Sequence, residues 1–279
     1  MYKELMLPIT GSAGDGNAME VAITLATGFD AHLAVVDSTN LPMPFPPSWG
    51  VAPSEVLALA YDELQQRADK SAERLRHRLE KESISWEVRT PESILVEPPH
   101  LLSLHARYAD LVVMTAPDAD EDKTQVVREC FTAILFGSGR PVLVVPPHPV
   151  TAPVRHLVVA WQPTPEATRA LHDALPLLRQ AASVDVVTVD PSVDDLRHGD
   201  DPGVDIATHL SRHGLRVNVV ALPRAGMSVA EVLLRHAKES GAHCLIAGGY
   251  GHSRLREWFL GGTTRELLAL ARLPVLFSR

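Results

Sequence analysis

The sequence predicts an α/β protein built as two tandem, doubly wound, five-stranded parallel-sheet domains, residues 1–149 and 150–279. Three observations lead to that class. Short apolar runs alternate with longer segments of helical periodicity, as expected for strands buried beneath crossover helices. The same order of elements occurs twice, at a spacing of about 140 residues, whereas a solenoid unit spans roughly 20–50. The two copies meet at Pro146-Pro147-His148-Pro149, which suits a linker.

In the first copy, residues 5–10 (LMLPIT) form a first strand, and the turn-rich Gly11 to Gly16 leads into a helix ending near Gly28. A second strand follows at 32–36. Residues 41–53 (LPMPFPPSWGVAP) contain five prolines, too many for a helix or central strand, and form a surface excursion carrying Phe45 and Trp49. Ser54 to Lys81 is a long charged helix with one apolar face. Then come a strand at 84–88, a helix at 94–106, a strand at 111–114, a helix at 125–136 and a strand at 141–145.

The second copy repeats this order. Strands fall at 156–161, 184–189, 215–221, 243–247 and 274–277, with helices near 165–181, 203–213, 228–240 and 263–271. The first strands match at an offset of 152 residues and the last at 133, so the first copy is longer, chiefly in its proline-rich loop and long helix. The short apolar strands 141–145 and 274–277 are natural sheet edges. They are expected to meet, making the chain an intramolecular pseudo-dimer, with a homodimer as a further possibility.

Composition removes several function classes. Hydrophobic residues make up 46% and charged residues 22%, and no apolar run reaches the length of a membrane span. The N-terminus lacks the apolar core of a signal peptide, so a cytoplasmic protein without a membrane partner is expected. The net charge of −8 is uneven: 12 basic against 21 acidic side chains up to residue 149, and 14 against 13 beyond it. Without basic runs, nucleic acid is not an expected partner. Cys130 and Cys244 are far apart in apolar settings and are expected to be core thiols.

The stretch most suited to chemistry is Ala247 to Glu266 (AGGYGHSRLREWFLGGTTRE), between an apolar strand and a helix. Glycines allow close backbone approach, and the unpaired N–H groups of a helix start favour an anion such as phosphate. Ordinary loop glycines with a capping threonine would give the same spacing. Parallel sheets bind ligands beyond the carboxyl ends of their strands where strand order reverses. In the second copy, the loops to inspect are therefore Trp161-Gln162-Pro163-Thr164 and the glycine stretch.

The arrangement resembles the universal stress protein family in a tandem form covering essentially the whole chain. The residues that carry this are Gly248, Gly251 and Gly261, which match a G-x-x-G, nine residues, G-[S/T] loop, and the closing Leu273-Pro274-Val275-Leu276-Phe277. The resemblance implies an adenine-nucleotide alpha-hydrolase-like fold. It also implies ATP or a related adenine nucleotide, with Mg as a candidate companion, held by Ala160, Trp161, Gln162, Val189, Gly248, Gly251, His252, Gly261, Gly262, Thr263 and Thr264. Two positions depart from the pattern. Gly262 stands where the family has Ser or Thr, leaving Thr263 or Thr264 to supply the hydroxyl. Gln162 stands where the family has Asp and cannot supply a carboxylate. In the first copy the offset of 133 places Thr115, Asp118, Arg128 and Glu129 at the glycine positions, and the carboxylates within Asp118–Asp122 oppose a phosphate.

His209 and His213, four apart on a predicted helix, form either a solvated pair or part of a metal site for which no third ligand is evident. No catalytic residue or Walker-type motif can be assigned, so at most very slow ATP hydrolysis is expected. The expected function is a stress-associated, nucleotide-binding regulatory protein with one site in the second copy and an unidentified protein partner. A slow hydrolase and a partner-binding scaffold without nucleotide are the alternatives.

Overall fold

The computed structural model describes residues 1–39, 54–91, 96–118, 122–150, 155–191, 203–249 and 261–279, with residues 54–61 described in backbone only. The proline-rich excursion with Phe45 and Trp49, most of the acidic loop Ala119–Asp122, and Gly251 and His252 lie outside them.

All ten predicted strands are present. β1 (Glu4–Ile9), β2 (His32–Asp37), β3 (Trp86–Arg89), β4 (Leu111–Thr115) and β5 (Val142–Val145) belong to the first half. β6 (His156–Ala160), β7 (Ser183–Val189), β8 (Val217–Leu222), β9 (Cys244–Gly248) and β10 (Val275–Ser278) belong to the second. They form one ten-stranded sheet in the order β3-β2-β1-β4-β5-β10-β9-β6-β7-β8. Each half is parallel with order 3-2-1-4-5, so strand order reverses between β1 and β4, and again between β6 and β9. The halves join through β5 and β10, which pair antiparallel at Val144–Val275, Leu143–Leu276 and Val142–Phe277. The pseudo-dimer expected from the two apolar edges is thus a continuous sheet.

The helices are α1 (Asp15–Phe29), α2 (Ser54–Leu79), α3 (Pro98–Ala106), α4 (Thr124–Gly137), α5 (Pro165–Asp173), α6 (Leu175–Leu178), α7 (Val204–Arg212), α8 (Val229–Glu239) and α9 (Gly262–Leu270). One core, on the α1, α2 and α5–α7 face, includes Leu7 and Phe29 from the first half and Leu171 and Leu276 from the second. The other, beneath α3, α4, α8 and α9, includes Phe131 and Phe277, whose rings meet edge to face at 5.4 Å. Both cores run across the seam, so neither half is packed independently of the other. Tyr2 adds a polar tie, its hydroxyl donating to the Asp173 carbonyl at 2.6 Å. Cys130 and Cys244 are buried, and burial pushes both thiols up to about 12, in keeping with core positions.

Proline accounts for the two largest departures from the expected element boundaries. The helix expected from residue 94 begins at Pro98, because Glu97 is extended (ψ 142°) and proline suits the first helical position. The helix expected over 165–181 breaks at Ala174 into α5 and α6, since Pro176 has no N–H for a carbonyl one turn back. The third strand begins at Trp86 rather than Ile84, although the Ser85 carbonyl already accepts from Leu33 N–H.

Candidate functional site

In the second half, β6 and β9 pair at Leu157–Cys244, Val158–Leu245 and Val159–Ile246 and no further, so the strands part just before their carboxyl ends. A cavity of about 440 Å³ opens there. Its walls include Ala160, Trp161 and Gln162 after β6, Val189 at the end of β7, Gly248 at the end of β9, and Gly261, Gly262, Thr263 and Thr264 at the start of α9. Nine of the eleven residues singled out from the sequence therefore surround one space. Gly251 and His252 fall outside the described residues.

Each wall has a local cause. Trp161 N–H donates to the Val187 carbonyl at 2.8 Å, holding the strand end while the chain turns at Pro163. Thr164 then caps α5, its hydroxyl accepting from Ala167 N–H at 3.3 Å, with Pro165 at the first helical position. Gly248 lies against that helix start. A Cβ there would stand 2.7 Å from both the Ala167 nitrogen and the Glu166 carbonyl carbon, which are backbone atoms with little freedom to move. On the opposite side, α9 starts from Gly261 without a side-chain cap. Its first-turn N–H groups have no intrahelical acceptor, and the helix dipole adds partial positive charge. Among the described residues, a Cβ at Gly261 or Gly262 would meet nothing within 4 Å. Thr264 is buried and Thr263 is exposed, so Thr263 has the freer hydroxyl where Gly262 lacks one.

Sequence reasoning missed several lining residues. Glu166 and Asp190 bring carboxylates to the wall, and among the described residues Glu166 Oε2 is buried without a hydrogen-bond partner. The Thr164-Pro165 cap signal places Glu166 in the first turn and could have revealed it. Val229 and Leu233 supply apolar wall from α8. That helix is announced by a capping box, Ser228 with Glu231.

A model of the universal stress protein family matches residues 153–279. Residues 153–279 therefore belong to the universal stress protein family. A search of curated proteins finds no match. Among solved structures, a universal stress protein from Archaeoglobus fulgidus DSM 4304 is 16% identical, with a TM-score of 0.72, covering 99% of this chain and 96% of that one. A putative universal stress protein from Pseudomonas aeruginosa UCBPP-PA14 is 14% identical, with a TM-score of 0.60 and coverage of 99% and 93%. At such identities the likeness is one of fold, and it extends over both halves of the chain.

The first half builds the corresponding place differently. Thr115 stands at the position of Gly248, yet no clash results, because Gly14 sits opposite it at the start of α1. A Cβ on Gly14 would fall 2.1 Å from Thr115 Oγ1. The close approach of strand and helix needs one glycine, which this half places on the helix and the universal stress protein half on the strand. The loss of a strand-end glycine at Thr115 is thus compensated.

Two other differences are not compensated. α4 begins at Thr124, so Arg128 and Glu129, which correspond to Gly261 and Gly262, lie inside a helix rather than at its start. The loop after β1 is closed by Asp15, whose carboxylate accepts from Thr10 N–H (2.9 Å), the Thr10 hydroxyl (2.8 Å) and Gly11 N–H (2.9 Å). An internal anion thus already uses these donors.

Burial pushes the Asp15 carboxyl from 3.8 up to about 6; the bonds from Thr10 and Gly11 oppose the shift, and Asp37 adds to it. The folded chain therefore holds this proton more tightly than the unfolded chain. The associated stability is full below about pH 4 and lost as pH rises to about 6, a change of about 3 kcal/mol. Asp15→Asn has no such proton. Its stability relative to the wild type is expected to rise by about that amount between pH 4 and 7 in urea denaturation, whereas parallel profiles would contradict the assignment.

Proposed function

We propose that this chain is a stress-associated regulatory protein that binds one adenine nucleotide, ATP or a relative, in the cavity between β6 and β9. The observation that carries the reading is the pairing of apolar wall with an open, uncapped helix start. Val189, Val229 and Leu233 suit a base, and the first turn of α9 suits phosphate. Family membership of the same half supports it. Gln162 is exposed at the rim, where its amide can donate to and accept from a base or ribose.

Glu166 favours a second reading on the same site. An unpartnered carboxylate oxygen beside a phosphate is unfavourable unless a cation lies between them, so Glu166 suits an accompanying Mg2+, which would neutralise phosphate charge. With no nucleophile or base assigned, any hydrolysis falls well below about 1 per second. The regulatory role proceeds through nucleotide occupancy, read by a protein partner in the cytoplasm.

The test is mass spectrometry of small molecules released from gently purified protein, followed by ATP titration of the emptied protein. An adenine nucleotide is expected in both arms. A lipid-like molecule in the first arm, or no binding at millimolar ATP in the second, would replace this reading with the scaffold alternative.

A further inference from the structure

The histidines that looked like a solvated pair in the sequence gain a third neighbour in the fold. His209 lies in the last turn of α7 and His213 caps that helix one turn later. Their ring centres are 4.8 Å apart. His172, in the last turn of α5, brings its ring to 5.3 Å from that of His209. His209 thus has an imidazole neighbour on its own helix and another from α5. No carboxylate is recorded bonding to any of them among the described residues.

We infer that His172, His209 and His213 form a site for a borderline divalent transition metal of the Zn2+ class, clamping the carboxyl end of α5 to that of α7. With a Zn–N bond of about 2 Å, imidazoles sharing a tetrahedral metal stand about 5 Å apart, centre to centre, close to both separations seen here. Among the described residues, His209 Nε2 is buried and has no hydrogen-bond partner, which leaves one imidazole nitrogen there without a protein ligand of its own.

The rings do not yet converge. Among the described residues, the only three candidate side chains whose ligand atoms all lie within 4.8 Å of one another are Glu4, His32 and Glu87. That group is already occupied by the Arg89 guanidinium, which ion-pairs with both glutamates. Bringing the three imidazoles onto one ion takes side-chain rotation at His172, which is exposed and free to turn, and at His213. The contact to be given up at His213 is long, Arg179 Nη2 to Nδ1 at 3.4 Å. Three neutral imidazoles leave a fourth position for water or an anion.

A rival lies elsewhere in the same half. Asp185 Oδ2 is 2.9 Å from His236 Nε2 and 3.1 Å from His156 Nε2, so those nitrogens already face a carboxylate. The test is titration of chelator-treated full-length protein with Co2+, followed by its visible absorption, and with Zn2+ by calorimetry. One metal per chain is expected. His209→Ala should weaken it at least about 100-fold and His172→Gln, at an exposed position that does not endanger folding, at least about 10-fold, with His236→Gln unchanged. No binding in the micromolar range, equal affinity in the His172→Gln protein, or loss on His236→Gln would overturn the assignment.

Discussion

Gly261→Leu is expected to abolish the proposed nucleotide binding, weakening it at least about 100-fold, while the melting temperature stays within a few degrees of the wild type. Gly261 has an ordinary backbone conformation (φ −50°, ψ 141°), so leucine causes no strain there. A Cβ meets nothing within 4 Å among the described residues, and the residue lines the cavity, so the new side chain extends into the space proposed for phosphate. Gly248→Ala behaves differently. Its Cβ is forced to 2.7 Å from the backbone of α5, which costs stability, about 1–3 kcal/mol, as well as binding. A fluorescent ATP analogue and thermal melts on both variants separate the two. Unchanged binding in Gly261→Leu would remove the α9 start from the site.

Leu276→Asp is expected to have the largest effect on the fold, destabilising the chain by more than about 4 kcal/mol. Leu276 is 0% exposed and sits at the seam, opposite Leu143 of β5 and Ile246 of β9. No cation pairs across these positions, so the carboxylate would be buried without a partner. Because its core cluster holds side chains from both halves, the loss should appear in one cooperative transition. Leu276→Met, which keeps the volume and charge, should cost less than about 1.5 kcal/mol. A small shift in Leu276→Asp, or the melting of one half alone, would contradict a shared core.

The strands and their doubling were legible in the sequence because buried parallel strands are continuous apolar runs, as in Leu111–Met114 and Pro141–Val145. The seam was legible for the same reason, since two apolar edges need each other. Residues distant in the chain were less so. The exchange of glycine between Gly248 and Gly14 involves two surfaces that meet only in the fold, so a position-by-position comparison of the copies does not show it. The start of α4 was legible, since the helix expected at 125–136 already contained Arg128 and Glu129. Glu166 lay within reach of the Thr164-Pro165 cap signal, whereas the approach of His172 to His209 depends on where α5 is placed, which sequence spacing does not encode.

The central claim is one nucleotide site per chain, in the second half alone. Calorimetric titration of the full-length protein with ATP and Mg2+, alongside the Gly261→Leu variant, tests it most directly. The predicted result is a stoichiometry near one for the wild type and no binding heat for the variant, with circular dichroism unchanged. Two equivalent sites in the wild type would show that the first half binds nucleotide despite Asp15 and the start of α4 at Thr124, and one site persisting in Gly261→Leu would take the site away from the α9 start.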